Sequence, residues 1–327
     1  MKPKMHFRRT ALLVLLAAFG ALATDPQFEV QLKKSWIEAY KDRTSIEASM
    51  VIHHSHKKPN KVGRGSEDGD LHFSGESDDV GLPFVAEIVN AASESKAVAF
   101  IKSVAATNET SGGNEKAVAV TGAWRFWFEH PSKLQIQGGN NPFTPDHTNP
   151  NHSFEIHPVS SIGPSGGSSR IDVEDSFVPV QDPKTHARFE AYPAETAFPY
   201  FDGITARIKA SRTGLSIRAP QLRYNYVDFH IELTQKAKQV SDGYIALARV
   251  VSEDGEQVLP STVRMIFVRG TEGAKAMSTA AAGDGFHVLG IPRVNLNAVS
   301  FLVGQHGTTE FSARLPYEMI VVGVFSD

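Results

Sequence analysis

Residues 93–106 read SESKAVAFIKSVAA, and residues 117–128 read AVAVTGAWRFWF. In the first stretch Val98, Ile101 and Ala105 recur at helical spacing, with Ser93 as a cap and Glu94 in the first turn. The second stretch is a long run of small, β-branched and aromatic residues. It reads as a strand with a bend or bulge at Gly122. By the two-residue period of a strand, Trp124, Phe126 and Phe128 share one face, and Arg125 and Trp127 share the other. What lies on either side of this helix and strand decides the fold.

Before the helix, strands are expected at 45–51, at 71–74 after the turn Glu67-Asp68-Gly69, and at the apolar run 83–90. After the long strand, the Gly-, Asn- and Pro-rich stretch 138–153 forbids regular structure. A last strand follows at 154–162. The second half reads alike: strands at 225–233, 244–251 and 262–268, an alanine-rich helix at 273–282, then strands at 286–291 and 317–325. In the first of these, Val227, Phe229, Ile231 and Leu233 face one way; Tyr226, Asp228, His230 and Glu232 face the other. Phe154-Glu155-Ile156 aligns with Tyr317-Glu318-Met319 at the end of each half.

Three strands, a helix and two strands is an order that resembles the OB-fold, a small five-stranded barrel. The expectation is a mostly β chain of two tandem OB-like five-stranded barrels, each with one helix between strands 3 and 4. The Gly-, Ser- and acid-rich residues after 162 mark a linker or long surface loop. The expected domains are therefore a leader at 1–23, an OB-like barrel at 24–162, a linker at 163–178, and a second β-rich domain at 179–327.

The leader has Lys2, Lys4, Arg8 and Arg9, then an apolar run from Ala11 to Ala23 ending in Ala21-Leu22-Ala23. This is the layout of a secretory signal peptide, and the run is shorter than the ~20 apolar residues of a membrane span. The expectation is an exported protein, periplasmic or extracellular, with no transmembrane segment after the signal. The 327-residue chain has no cysteine, so no disulfide contributes to its stability. Its formal net charge is −3, and loss of the basic leader makes it more acidic. That disfavours general nucleic-acid binding, while leaving room for one local basic groove.

Several strands of the first half carry ionisable residues: Asp70 and His72, Glu87, His130, and Glu155 with His157. Residues two apart share a strand face, so Asp70 lies with His72 and Glu155 with His157. If both pairs point to one side, three histidines and three carboxylates converge. This part of the chain, about 66–162, resembles an uncharacterised group of exported bacterial proteins with an OB-like domain. The matching residues are Asp70-Leu71-His72, Glu87, Thr121-Gly122 with Phe126 and His130, and Glu155-Ile156-His157-Pro158-Val159. The resemblance implies the fold and export, and assigns no activity. Asp68-Gly69-Asp70 and Glu87 also resemble the carboxylates of thermonuclease-like OB domains, where the nearest candidates for catalytic arginines would be Arg64 and Arg125.

Three readings of the constellation stay open. Asp70, His72, His130 and His157 have the chemistry to hold a divalent metal such as zinc. Glu87, Glu155 and His157 are the candidates for acid–base catalysis, which would make a metal-assisted hydrolase of phosphodiesterase or nuclease type. Otherwise the histidines and carboxylates satisfy one another and pin strands together. Trp127 with Arg125, facing away from the barrel interior, is the candidate ligand-binding pair. The leading functional expectation is a binding module of unknown ligand and partners; a structural or interaction protein of the cell envelope is the third.

Overall fold

The computed structural model describes residues 28–65, 67–141, 147–167 and 169–326. The expected signal peptide lies outside them. The chain opens with strand β1 (Phe28–Lys33) and helix α1 (Lys34–Tyr40). Barrel 1 follows as β2 (Ser45–Ser55), β3 (Leu71–Glu76), β4 (Phe84–Ile88), α2 (Ser95–Glu109), β5 (Ala117–His130), a short β6 (Leu134–Ile136), and β7 (His152–Pro164). A connecting stretch carries β8 (Ile171–Asp172), a single 3-10 turn (Glu174–Phe177), β9 (Tyr192–Pro193), α3 (Ala194–Gly203), β10 (Thr205–Ala210) and β11 (Gly214–Ala219). Barrel 2 is β12 (Val227–Leu233), β13 (Lys238–Val240), β14 (Gly243–Val251), β15 (Val263–Val268), α4 (Glu272–Thr279) and β16 (Gly285–Val294). The chain ends with α5 (Leu296–His306), β17 (Phe311–Arg314) and β18 (Tyr317–Val324).

Both barrels close as the repeated order requires. In barrel 1, β5 pairs with β2 and β7, and β7 runs parallel to β4. In barrel 2, β16 pairs with β12 and β18, β18 runs parallel to β15, and β12–β14 completes the ring. The chain is thus two tandem OB-like barrels. Each barrel is filled by one parity of its strands. Leu71, Phe73, Phe84, Ala86, Trp124, Phe126, Phe154 and Ile156 are buried inside barrel 1. Gly122 sits at the register shift of β5, where an added Cβ would meet the Pro158 carbonyl oxygen at 2.3 Å. Only a residue without a side chain allows β7 to come so close.

A third sheet has no counterpart in the sequence reading. It is five-stranded, in the order β17-β10-β11-β1-β6, and so draws on both barrels and the connecting stretch. Residues 163–178, read as a linker, hold the end of β7, β8 and the 3-10 turn, with Val173, Ser176 and Phe177 buried. Among the described residues no helix is long and apolar enough to cross a membrane.

The barrels pack outer face to outer face. Val89 and Ala123 of barrel 1 share an apolar cluster with Ile266, Val268, Leu289, Ile291, Ile320 and Val322 of barrel 2. Phe177, Val180, Phe189 and Tyr226 of the connection complete it. Two buried arginines cross this seam reciprocally. Arg125 Nε donates to the Pro292 carbonyl at 3.0 Å, and Arg293 Nη1 donates to the Trp124 carbonyl at 2.9 Å. Each arginine also faces a glutamate across its own barrel: Arg125 opposite Glu155, and Arg293 opposite Glu318. Equivalent residues contacting each other in both directions are the mark of a two-fold arrangement.

Candidate functional site

Strand parity sends His72, Glu87, Arg125, Trp127, Glu155 and His157 to the outside of barrel 1. An outer face normally meets water. Here the seam covers it, so Asp70, Arg125 and His157 are 0 % exposed and Glu155 is 3 %. The Asp70/His72 and Glu155/His157 pairs lie on the same side and meet at Glu87. His72 is directly across from Glu87 in the β3–β4 ladder, and β7 lies on the other side of β4.

The contacts form a chain. His72 Nε2 lies against Asp70 Oδ2 and 3.5 Å from Glu87 Oε1. His157 Nδ1 is 3.0 Å from Glu87 Oε2 and 3.4 Å from Glu155 Oε2, while its Nε2 meets the Tyr226 hydroxyl at 2.8 Å. Arg125 donates to Glu155 at 2.5 Å and to Glu129 at 2.8 Å. His152 Nε2 reaches the other Glu155 oxygen at 3.1 Å. Asn60 Nδ2 donates to Asp70 Oδ1 at 2.6 Å.

Burial and charge oppose each other throughout. Burial disfavours the Asp70 and Glu155 anions, yet His72 beside Asp70, and Arg125 with His152 beside Glu155, hold both carboxyls below their usual range. Burial likewise disfavours an imidazolium at His157, but Glu87 and Glu155 outweigh it and push that group up to about 10. Burial, together with the neighbouring Asp70 and Glu87, pushes the Asp68 carboxyl well above its usual range. Burial and the same carboxylates hold Tyr226 as a phenol.

Two expectations need correction. His130 stays out of the cluster. The β5–β7 register shifts between Phe126 and His130, and its side chain is left 41 % exposed, stacked on His152 and beside Glu129. Trp127 and Arg125 do face outward, but neither is available to a ligand. Trp127 is 2 % exposed and packs edge-on against Phe201 of α3, and Arg125 is spent on two carboxylates and a carbonyl. Sequence reasoning missed Asn60, His152 and Tyr226, and did not join Asp68 or His56 to the cluster. The Asp68-Gly69-Asp70 turn and the His53-His54-Ser55-His56 run were visible signals. His56 stacks on His72 with ring centroids 4.7 Å apart. Tyr226 comes from the entry to barrel 2, which no local pattern joins to barrel 1.

No family model and no curated protein matches the chain. Among solved structures it is similar to a deletion mutant of the single-stranded DNA binding protein of Thermus aquaticus. The identity is 9 %, over 87 % of this chain and 93 % of the other, at a TM-score of 0.21. It is also similar to a murine DNA binding protein bound with double-stranded DNA, at 11 % identity over 85 % and 98 % of the two chains, TM-score 0.18. At such scores these likenesses carry no argument about what this chain binds.

Proposed function

We propose that the chain is an exported binding module, with its ligand surface on the third sheet. The observation that supports this is a contrast of access. The charged cluster of barrel 1 is buried in the seam apart from a partly exposed His72, and a hydrolase built on Asp70, Glu87 and His157 would need a path for a substrate larger than an ion. The outer face of the third sheet, by contrast, is open as a groove of about 1000 Å3. Lys33, Lys34, Lys209 and Arg218 line it with Gln31 and Ser216, and outnumber its two carboxylates, Glu29 and Glu310. Arg218 is held by Glu29 at 2.7 Å, so its head is fixed in place. Cations and hydroxyls on a pleated surface suit an extended anionic ligand, and a local basic groove is compatible with a net negative chain.

The test is anisotropy of a fluorescent polyanion, inorganic polyphosphate or a single-stranded oligonucleotide, titrated with the mature chain. Binding should weaken with salt and in the variant Lys34→Glu/Lys209→Glu. No binding, or binding indifferent to that variant, would remove the reading. Export is tested separately: the secreted protein should begin near Thr24 by N-terminal sequencing.

A further inference from the structure

We infer that barrel 1 holds one divalent metal ion at Asp70, His72 and Glu87, in the seam between the barrels. The ligand set is two carboxylates and one imidazole from adjacent strands, their ligand atoms all within 4.8 Å of one another. Oxygen-rich ligation with one imidazole suits zinc or manganese. It leaves a further coordination position to water.

The hydrogen bonding supports a common target. Asp70 Oδ2 and Glu87 Oε2 are buried without a hydrogen bond of good geometry; Asp70 Oδ2 lies against His72, Glu87 Oε2 faces His157 at 3.0 Å, and Glu87 Oε1 is the oxygen turned to His72. Buried polar atoms are rarely left in that state. The surrounding groups fit the role of outer supports. Asn60 fixes the other Asp70 oxygen, and His157, itself held by Tyr226, contacts Glu87. An ion can enter past His72, whose side chain is 14 % exposed beneath the His56 ring.

A second group of three, Glu87, Glu155 and His157, is equally close. It is the poorer site. Arg125 lies 2.5 Å from Glu155 Oε2 and already neutralises it, so a divalent ion there would sit beside a buried guanidinium. Barrel 2 supplies an internal control. Aligning the Arg–Glu pairs of the two barrels puts Gly243, Ile245 and Ile266 where barrel 1 has Asp70, His72 and Glu87, and Ile320 where it has His157. The same fold closes there without one of these polar groups.

The test uses the full mature chain, stripped with a chelator and dialysed against zinc or manganese. Bound metal is measured by elemental analysis, and folding by circular dichroism. One ion per chain is expected, with a raised melting temperature. Asp70→Asn should abolish stoichiometric binding. His157→Ala should weaken affinity by roughly 10–100-fold, as loss of an outer support does. Because single variants could unfold, His72→Ile/Glu87→Ile copies barrel 2 and should stay folded without binding. His130→Ala should bind as the parent does. Failure of the parent to retain either metal overturns the inference, as does undiminished binding in Asp70→Asn or in the folded isoleucine variant. Neither result touches the groove reading, whose readout is polyanion binding.

Discussion

The two barrels solve the same packing problem with different chemistry. Each turns one outer face into the seam, and each places a buried arginine opposite a buried glutamate on its fourth and fifth strands. Around that shared pair they diverge. Barrel 2 fills the remaining seam positions with Ile245, Ile266 and Ile320, while barrel 1 fills the equivalent ones with His72, Glu87 and His157. Desolvating charges is costly, and apolar residues of similar volume often replace buried ion pairs at no loss. The isoleucines prove that this fold accepts that solution. The polar set of barrel 1 is therefore best understood as retained for something other than closure, and the Arg–Glu pairs as the common framework.

The largest expected effect tests the shared part of this comparison. Arg125→Ala and Arg293→Ala should each cost about 3–5 kcal/mol in denaturant unfolding, because each breaks a buried pair and leaves its glutamate to weaker partners, His152 and His157 for Glu155 and Arg264 for Glu318. The Arg293 guanidinium also lies 3.6 Å over the Trp124 ring. If one substitution is nearly silent, the two-fold correspondence fails. A smaller effect tests the divergent part. Ile320→His puts a polar ring against Ile266, where barrel 1 has Glu87, and beside a Glu318 already held by Arg293 and Arg264, and should cost about 1–3 kcal/mol for a poorly satisfied buried group. A neutral outcome would mean that the seam tolerates polarity anywhere.

The smallest effect concerns acid. Asp242, at the edge of barrel 2, accepts from Arg43 Nε, the Thr44 and Ser45 amides and the Ser45 hydroxyl, all at the start of barrel 1. Burial pushes its carboxyl up, but these donors prevail and hold it below the ordinary 3.8. A depressed carboxyl stabilises the fold above its unfolded value and loses that contribution as pH falls through the folded one. Asp242→Asn should therefore be less stable than the parent at neutral pH, with the gap closing below about pH 4. A gap that persists in acid would assign the effect to the lost shape instead.

The same contrast explains what could be read from the chain. Both barrels were legible because their signals are local. The 225–233 alternation and the helix at 93–106 fall where the barrels need them. β5 and β7 extend a few residues beyond their expected ends. The convergence of Asp70, His72, Glu87, Glu155 and His157 was legible as a possibility, since parity fixes which residues share a strand face. That the face is buried was not. Trp127 and Arg125 look like surface residues on β5 until a second barrel and α3 are laid over them. The third sheet escaped for a related reason. FEVQLK at β1 and TARIKA at β10 alternate well enough, but each is short; β1 pairs with segments far along the chain, and the local β10–β11 hairpin gains its place in a sheet only through β1 and β17.

The central claim is that the polar cluster of barrel 1 serves a ligand and not the fold. The most direct measurement is the unfolding free energy, in chelator, of the variant Asp70→Gly/His72→Ile/Glu87→Ile/His157→Ile, which writes the barrel 2 seam into barrel 1. The account predicts a folded protein as stable as the parent or up to about 4 kcal/mol more so. A loss of more than about 3 kcal/mol, the cost of breaking a needed buried pair, would contradict it and make the cluster a structural element.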